Sequence, residues 1–533
     1  MCKPYVQGVG PALFIAHNDH LSPERYTLTA SRSRLRHLRY HVSLLTGFVQ
    51  SVFSRAARSS NTIGGPSLEA SHCEHRQDPV TINTLPDDVL IEIFQFFLNH
   101  WGTGTHGWHT LVHVCQNWRS IVFASPRRLN LRLLYGGARP MSEMLDVWPL
   151  FPVVIDLNST AYEFSNSYPY QRWGNIAGAL ESEHYHRISQ INLAVIGRSI
   201  WERLAVAMQK PFSELTFLRF RVQDNTVASV PDSFLGGSAP LLRYLSFNNC
   251  PFPGIPKLLL SANQLVELYL LKIPNSGYIS PQDLVTALSV LSRLKTLRLG
   301  FESPRYPASR PRPPLTRSVL PALTILYFRG VHEYLEDLLA QIEAPLLNKL
   351  DVAFFMDIDF VIPQLHRLIS KTESFKTCDR ATVYTFDRAI RFTVYRGTNQ
   401  LPMLSMEISC RELDWQLASL VQVYSSSFPL LSALVQLDIT DYAPQSRWKD
   451  DMEATQWLEL LVPFTAMKDL RLTHQVAPHV CQPLEELAGE RVLPALQNIF
   501  LTGLKPSRYP KYIEGFVAAR KLSGRPVAIH RWG

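Results

Sequence analysis

Few groups in this chain are spaced for chemistry. Gly102-Thr103-Gly104-Thr105-His106-Gly107 matches the G-x-G-x-x-G pattern that cradles a pyrophosphate. That chemistry needs the glycines between a strand and a helix N-terminus. Here they fall between two predicted helices, where they permit a turn. His109 and His113 stand at i and i+4 with His106 and Cys115 near, a spacing that could hold a metal. The Glu of His-Glu-x-x-His is absent and no second ligand pair follows, so packing histidines are expected, and no metal. His72, Cys73 and His75 read as a chance grouping in a tail, and Asp450, Asp451 and Glu453 as a solvated helix start. No Gly-x-Ser-x-Gly elbow and no Gly-Lys-Ser/Thr phosphate loop occurs. The expectation is a chain that is not an enzyme, with no catalytic residues and no cofactor.

The specific patterns build surfaces instead. In Leu85-Pro86-Asp87-Asp88-Val89-Leu90-Ile91-Glu92-Ile93-Phe94, Pro86 suits a first helical position, where its missing N–H would have no partner anyway. Asp87 and Asp88 put negative charge at the positive end of the helix dipole. Val89, Leu90, Ile93, Phe94, Phe97 and Leu98 then form one apolar stripe at helical period. Leu111, Val114, Cys115, Trp118 and Val122 repeat the stripe on the next segment, which Ser125-Pro126 ends. Two short helices cannot bury both stripes alone, so packing against a third element or a partner helix is expected.

Leu-Pro, the acidic first turn, Ile93-Phe94 and Val114-Cys115-x-x-Trp118-Arg119 together resemble an F-box, over about fifty of the 533 residues. The resemblance implies docking on the Skp adaptor of cullin-based ubiquitin ligases. By the same resemblance, Leu85, Pro86, Leu90, Ile93, Phe94, Val114, Cys115, Trp118 and Val122 would be the adaptor-binding residues. Gln116 stands where the family has a basic residue, and the connector from Asn99 to Trp108 is longer and more Gly/His-rich than usual, which bears on adaptor affinity.

From about residue 140 onward a phrase Leu-x-x-Leu-x-Leu recurs. Its first anchors are Ile188, Leu215, Leu242, Leu265, Leu294, Leu323, Leu347, Leu434, Met467 and Leu496, spaced 27, 27, 23, 29, 29, 24, 87, 33 and 29. The gap of 87 is three times 29 and predicts two degenerate copies, around Ala381 to Phe386 and Leu404 to Ile408. Such periods resemble leucine-rich repeats, in which each unit supplies a strand and a helix and neighbours share a core. Helices are predicted over Pro281 to Leu291 and Val331 to Ile342, between the strand phrases. The Asn that usually follows the phrase is mostly missing, although Asn248 and Asn249 follow Phe247. The expected fold class is α/β, a small helical module followed by an irregular solenoid of parallel strands backed by helices. Because side chains alternate along a strand, the residues between the leucines share the opposite, concave face. Tyr244, Tyr269, Arg298, Tyr327 and Arg329 are the target-binding candidates there, since Tyr and Arg are enriched at binding hot spots.

Composition bounds the rest. A hydrophobic fraction of 46% with 18% charged residues is globular, and 533 residues exceed one compact core. The expected division is 1–80 as a disordered basic tail, 81–135 as the F-box module and 136–533 as the repeat domain. Seven scattered cysteines with no Cys-x-x-Cys pair fit a reducing compartment. No run of eighteen apolar residues and no signal peptide is seen, so an intracellular location, cytoplasmic or nuclear, is expected, with no membrane span and no nucleic-acid partner. The run from Ser303 to Arg317 is rich in Pro and Arg and should be an exposed extended loop.

An F-box followed by irregular leucine-rich repeats, with Trp148 to Leu157 as an opening strand, resembles the large divergent F-box families of mushroom-forming fungi. That likeness implies a substrate-recognition subunit of a Skp-cullin-F-box ligase whose repeats hold a protein target. The alternative is an adaptor-binding scaffold that acts without cullin-dependent ubiquitination.

Overall fold

The computed structural model describes residues 85–100, 107–146, 148, 150–157, 169–223, 229–252, 257–304, 317–355, 362–386, 388–397, 401–409, 418–423, 430–442, 454–487, 492–502 and 511–531. The proposed tail lies outside them, as do residues 305–316 of the Pro/Arg run. The chain divides into two compact units between Leu131 and Arg132.

The first unit is helical: α1 (Asp87–His100), α2 (Gly107–Val112) and α3 (Gln116–Ala124). The Leu90 N–H donates to the Pro86 carbonyl at 3.1 Å, closing the first turn of α1 behind the proline. Leu111 to Val122, read as one stripe, is two helices. The break falls at Cys115, whose extended backbone and Sγ cap α3.

The second unit carries one sheet of sixteen strands among the described residues. In chain order these are β1 (Leu133–Tyr135), β2 (Val153–Asp156), β3 (Ile188–Ile196), β4 (Phe217–Val222), β5 (Tyr244–Asn248), β6 (Glu267–Ile273), β7 (Thr296–Phe301), β8 (Ile325–Gly330), β9 (Lys349–Phe354), β10 (Arg380–Phe386), β11 (Ala389–Tyr395), β12 (Leu404–Ser409), β13 (Gln436–Asp441), β14 (Asp469–Thr473), β15 (Asn498–Thr502) and β16 (Ala528–Arg531). Helices back the sheet, among them α4 (Pro281–Leu288), α5 (His332–Gln341) and α6 (Pro363–Lys371), which pack as successive neighbours. This is a leucine-rich-repeat-like solenoid of mainly parallel strands.

The repeat anchors have one structural meaning. From Leu215 onward each of the nine lies two residues ahead of its strand and is buried. Each also donates its N–H to the carbonyl three residues back, as Leu215 does to Phe212, Leu265 to Ala262 and Met467 to Phe464. A tight turn therefore precedes each of these nine strands and fixes its start. The leucines inside the strands, such as Leu218, Leu245, Leu268, Leu297, Leu326 and Leu350, are fully buried and adjacent across the sheet. Asn249, one of the two asparagines that follow Phe247, has φ of 61° and donates its side-chain amide to the carbonyls of Val222 and Gln223, both at 3.3 Å. It ties one repeat to the one before.

Two expectations need correction. Leu133 pairs with Val153, and its N–H donates to the Pro152 carbonyl at 2.9 Å, so residues 132–135 belong to the repeat unit and not to the helical module. The 87-residue gap does contain strands at both predicted places, but they are not copies of a strand-helix unit. β10 and β12 are separated by the unpredicted β11, and the spatial order runs β9, β12, β11, β10, β13. β11 is antiparallel to both neighbours, whereas β12 is parallel to β9 and β10 is parallel to β13. The reason is length: two parallel strands need a crossover of a dozen or more residues. Only two residues separate Phe386 from Ala389, so the chain must turn back.

Candidate interaction surfaces

In the helical unit the nine candidate adaptor-binding residues divide into core and surface. Leu90, Phe94, Trp118 and Val122 are buried, with the Phe94 and Trp118 rings 4.7 Å apart. Leu85, Ile93 and Cys115 are half-buried, and Pro86 and Val114 are exposed. Val89 at 40% and Phe96 at 49% exposure join them. Pro86, Val89, Ile93 and Phe96 recur at i, i+3, i+7 and i+10, which places them along one face of α1, beside the stripe that forms the core. The stripe read from the sequence puts Val89 and Ile93 with the core residues and leaves out Phe96, whose helical spacing with Pro86, Val89 and Ile93 could have revealed it.

The Val-Cys-x-x-Trp-Arg phrase holds the turn between α2 and α3. The Trp118 N–H donates to Cys115 Sγ at 3.4 Å, and Arg119 Nε donates to the Val112 carbonyl at 2.9 Å. Cys115 thus caps the start of α3 while Arg119 satisfies the end of α2. Gly107 begins α2, and the other residues of the G-x-G-x-x-G match lie outside the described residues. The His109 ring stacks on its neighbour Trp108 with centroids 3.7 Å apart. Among the described residues no group of three or more His, Cys, Asp or Glu side chains could hold a metal.

In the repeat unit, register brings side chains of the open sheet face into rows. One row runs Arg219, Ser246, Tyr269, Arg298, Tyr327, Asp351, Ser405 from β4 to β9 and on to β12. It continues through Thr393, Thr382, Asp438, Arg471, Phe500 and His530. Arg298 lies over the rings of Tyr269 at 5.2 Å and Tyr327 at 6.0 Å. The Tyr244 ring is 5.1 Å from that of Tyr269 and stacks on Phe217 at 4.2 Å. The Tyr269 hydroxyl donates to Glu267 Oε2 at 2.5 Å, and burial together with that carboxylate raises its pKa above the ordinary value. Four of the five target-binding candidates therefore form a continuous ladder. Arg329 stands one row over, opposite Gly300 and Ala353, exposed and 5.6 Å above the Phe355 ring.

A pocket of about 480 Å³ opens where the strand order reverses. Tyr327, Arg329 and Asp351 line one side, and Tyr384, Phe386 and Tyr442 the other. The Tyr442 ring stacks on Tyr384 at 5.6 Å and on Phe386 at 5.9 Å. Arg391 donates through Nε to Glu407 Oε2 at 2.9 Å across the floor. Burial pushes the Tyr384 hydroxyl up to about 12 and raises the Asp351 carboxyl above the ordinary range. Volume and lining suit a side chain or small group bearing both apolar and polar parts. The leucine phrase could not find this pocket. Its available signal was the alternation in Arg380 to Phe386 and again in Ala389 to Tyr395, two runs separated by two residues.

No family model matches the chain, and no curated protein matches it. Among solved structures, the leucine-rich repeat-containing protein LegL7 from Legionella pneumophila is similar over 64% of this chain and 95% of its own, at 15% identity and a TM-score of 0.23. The repeat architecture rests on the turns, strand order and register described above, not on that likeness. Among the described residues, no helix is long and apolar enough to cross a membrane.

Proposed function

We propose that this chain is a non-catalytic, substrate-recognition subunit of a Skp-cullin-F-box ubiquitin ligase. In this reading the helical unit docks on a Skp-family adaptor, the open face of the repeat sheet captures a protein target, and this chain supplies proximity while a partner enzyme performs the transfer. The observation that carries the reading is the pairing of Leu85-Pro86 with Val114-Cys115-x-x-Trp118-Arg119 in one helical unit that leaves Pro86, Val89 and Val114 at its surface. Pro86 and Val89 continue along α1 into Ile93 and Phe96, and a contiguous apolar strip of this kind marks a partner site. The ladder of Tyr269, Arg298 and Tyr327 supports the target end, because neighbouring repeats build extended binding surfaces and Tyr and Arg are common hot-spot residues.

Co-purification of the full chain from cells tests this. Adaptor and cullin together are expected with the unaltered chain, and both are lost when Leu85 and Pro86 become Ala. Truncating a hot-spot anchor typically costs about 2 kcal/mol, roughly thirty-fold in Kd. Adaptor without cullin would favour the scaffold alternative, and unchanged adaptor recovery by the folded double variant would remove the reading altogether.

A further inference from the structure

A second pocket lies away from the open sheet face, between the end of α5 and α6. The short parallel strands Ser318–Val319 and Ile342–Glu343 pair Ser318 with Ile342, and the Leu320 N–H donates to the Glu343 carbonyl at 2.8 Å. They clip Arg317 beside the last turn of α5. On the other side, the Glu336 carboxylate of α5 accepts the N–H groups of Gln364 at 2.8 Å and Leu365 at 2.9 Å, capping the start of α6 behind Pro363. That cap fixes the rotation of α6. Gln364, Arg367, Leu368 and Lys371, at i, i+3, i+4 and i+7, then share one helix face, and with Arg317 and the 342–345 turn they enclose about 270 Å³.

The charges lining this space do not balance. Among the described residues Arg317, Arg367 and Lys371 meet a single carboxylate, Glu343. Glu343 reaches Arg367 only at 4.0 Å, and Arg317 Nη2 donates to the neutral Gln364 Oε1 at 2.9 Å. Burial, and then the nearby Arg367, disfavour the Arg317 cation. An entering anion would relieve both repulsion and desolvation, and guanidinium forks match phosphate oxygens in pairs. Ile342, Pro345 and Leu368 line the same space with aliphatic surface. We propose that this pocket binds a phosphate monoester carried on an apolar stem. Arg317, Arg367 and Lys371 hold the phosphate, and the aliphatic wall holds the stem. The site is independent of adaptor docking and of the open sheet face.

Calorimetric titration of the full chain with phenyl phosphate, inorganic phosphate, and a phosphotyrosine peptide beside its unphosphorylated twin tests the assignment. Phenyl phosphate is expected to bind saturably and more tightly than inorganic phosphate. Binding should fall at least tenfold in Arg367→Gln and in Lys371→Gln, both exposed positions whose variants keep the parent melting temperature, and should be unchanged in Arg293→Gln, which is outside the pocket lining. A phosphopeptide that binds more tightly than phenyl phosphate places the natural monoester on a protein, and one that binds more weakly places it on a free small ester; either supports the site. Absence of saturable binding by every phosphate probe, equal binding of the unphosphorylated peptide, or an equal loss in Arg293→Gln would overturn it.

Discussion

The guanidinium of Arg298 lies 5.2 Å from the ring centroid of Tyr269, its in-register partner on the neighbouring strand. Arg298 also reaches Tyr327 on the other side at 6.0 Å. One cation thus links three strands on the open face, held by rings that belong to different repeats.

Such a contact is worth about 0.5–1 kcal/mol at an exposed site. Arg298 makes two such contacts, so Arg298→Ala is expected to lower the unfolding free energy by about 1–2 kcal/mol, read from a urea melt. Changing Tyr269, Arg298 and Tyr327 together to Ala should abolish capture of protein targets and leave adaptor recovery intact. Survival of target capture in that variant would move the site to the pocket at the reversed strands or to the C-terminal repeats.

The division of the helical unit into core and surface predicts opposite phenotypes. Phe94→Ala empties a fully buried position against Trp118 and should cost about 3–5 kcal/mol, enough to unfold the unit by circular dichroism. Val89→Ser and Val114→Ser should change stability by no more than about 0.5 kcal/mol. Each should weaken adaptor binding by roughly tenfold, measured by surface plasmon resonance. Full adaptor affinity in the Val89→Ser, Val114→Ser double variant would show that these exposed side chains are not part of the docking surface.

Cys115 is expected to act through its cap and not through thiol chemistry. Losing the bond from the Trp118 N–H in Cys115→Ala should cost about 1 kcal/mol, and Cys115→Ser should restore most of it because a hydroxyl caps at least as well. Equal thermal melts for the Ala and Ser variants would contradict this.

Asp351 supplies a pH signature. Burial raises its carboxyl above the unfolded value, so the fold favours the protonated form. Folding is opposed once the group ionises above its folded-state pKa, and that opposition fades as pH falls through this pKa toward the ordinary 3.8. Asp351→Asn should therefore be more stable than the parent at neutral pH, with the difference shrinking as the buffer is acidified, in paired denaturant melts. A more stable parent at neutral pH would mean that the bond from Ser405 and the charge of Arg391 outweigh burial.

What the sequence determined by itself is everything set within one repeat or one helix turn. Leu215, Leu242 and the later anchors are legible because burying one side chain two residues before an alternating strand is a local demand, repeated at a near-constant period. The start of α1 is legible for the same reason, in Pro86 and the acids behind it. Local demands could not say which strands become neighbours. β10 and β12 occupy the predicted places, yet their order in the sheet depends on where β11 turns back, and that is a competition among strands far apart in the chain. Only the tertiary structure brings Tyr327 and Asp351 to face Tyr384 and Tyr442, or sets Arg317 beside Arg367 across fifty residues. It likewise decided that Phe94 and Trp118 face each other while Val89 faces out, because both belong to apolar runs of the same helical period and only packing against α3 selects the buried side. Pairing and burial are long-range, and a pattern of single residues does not encode which partner arrives.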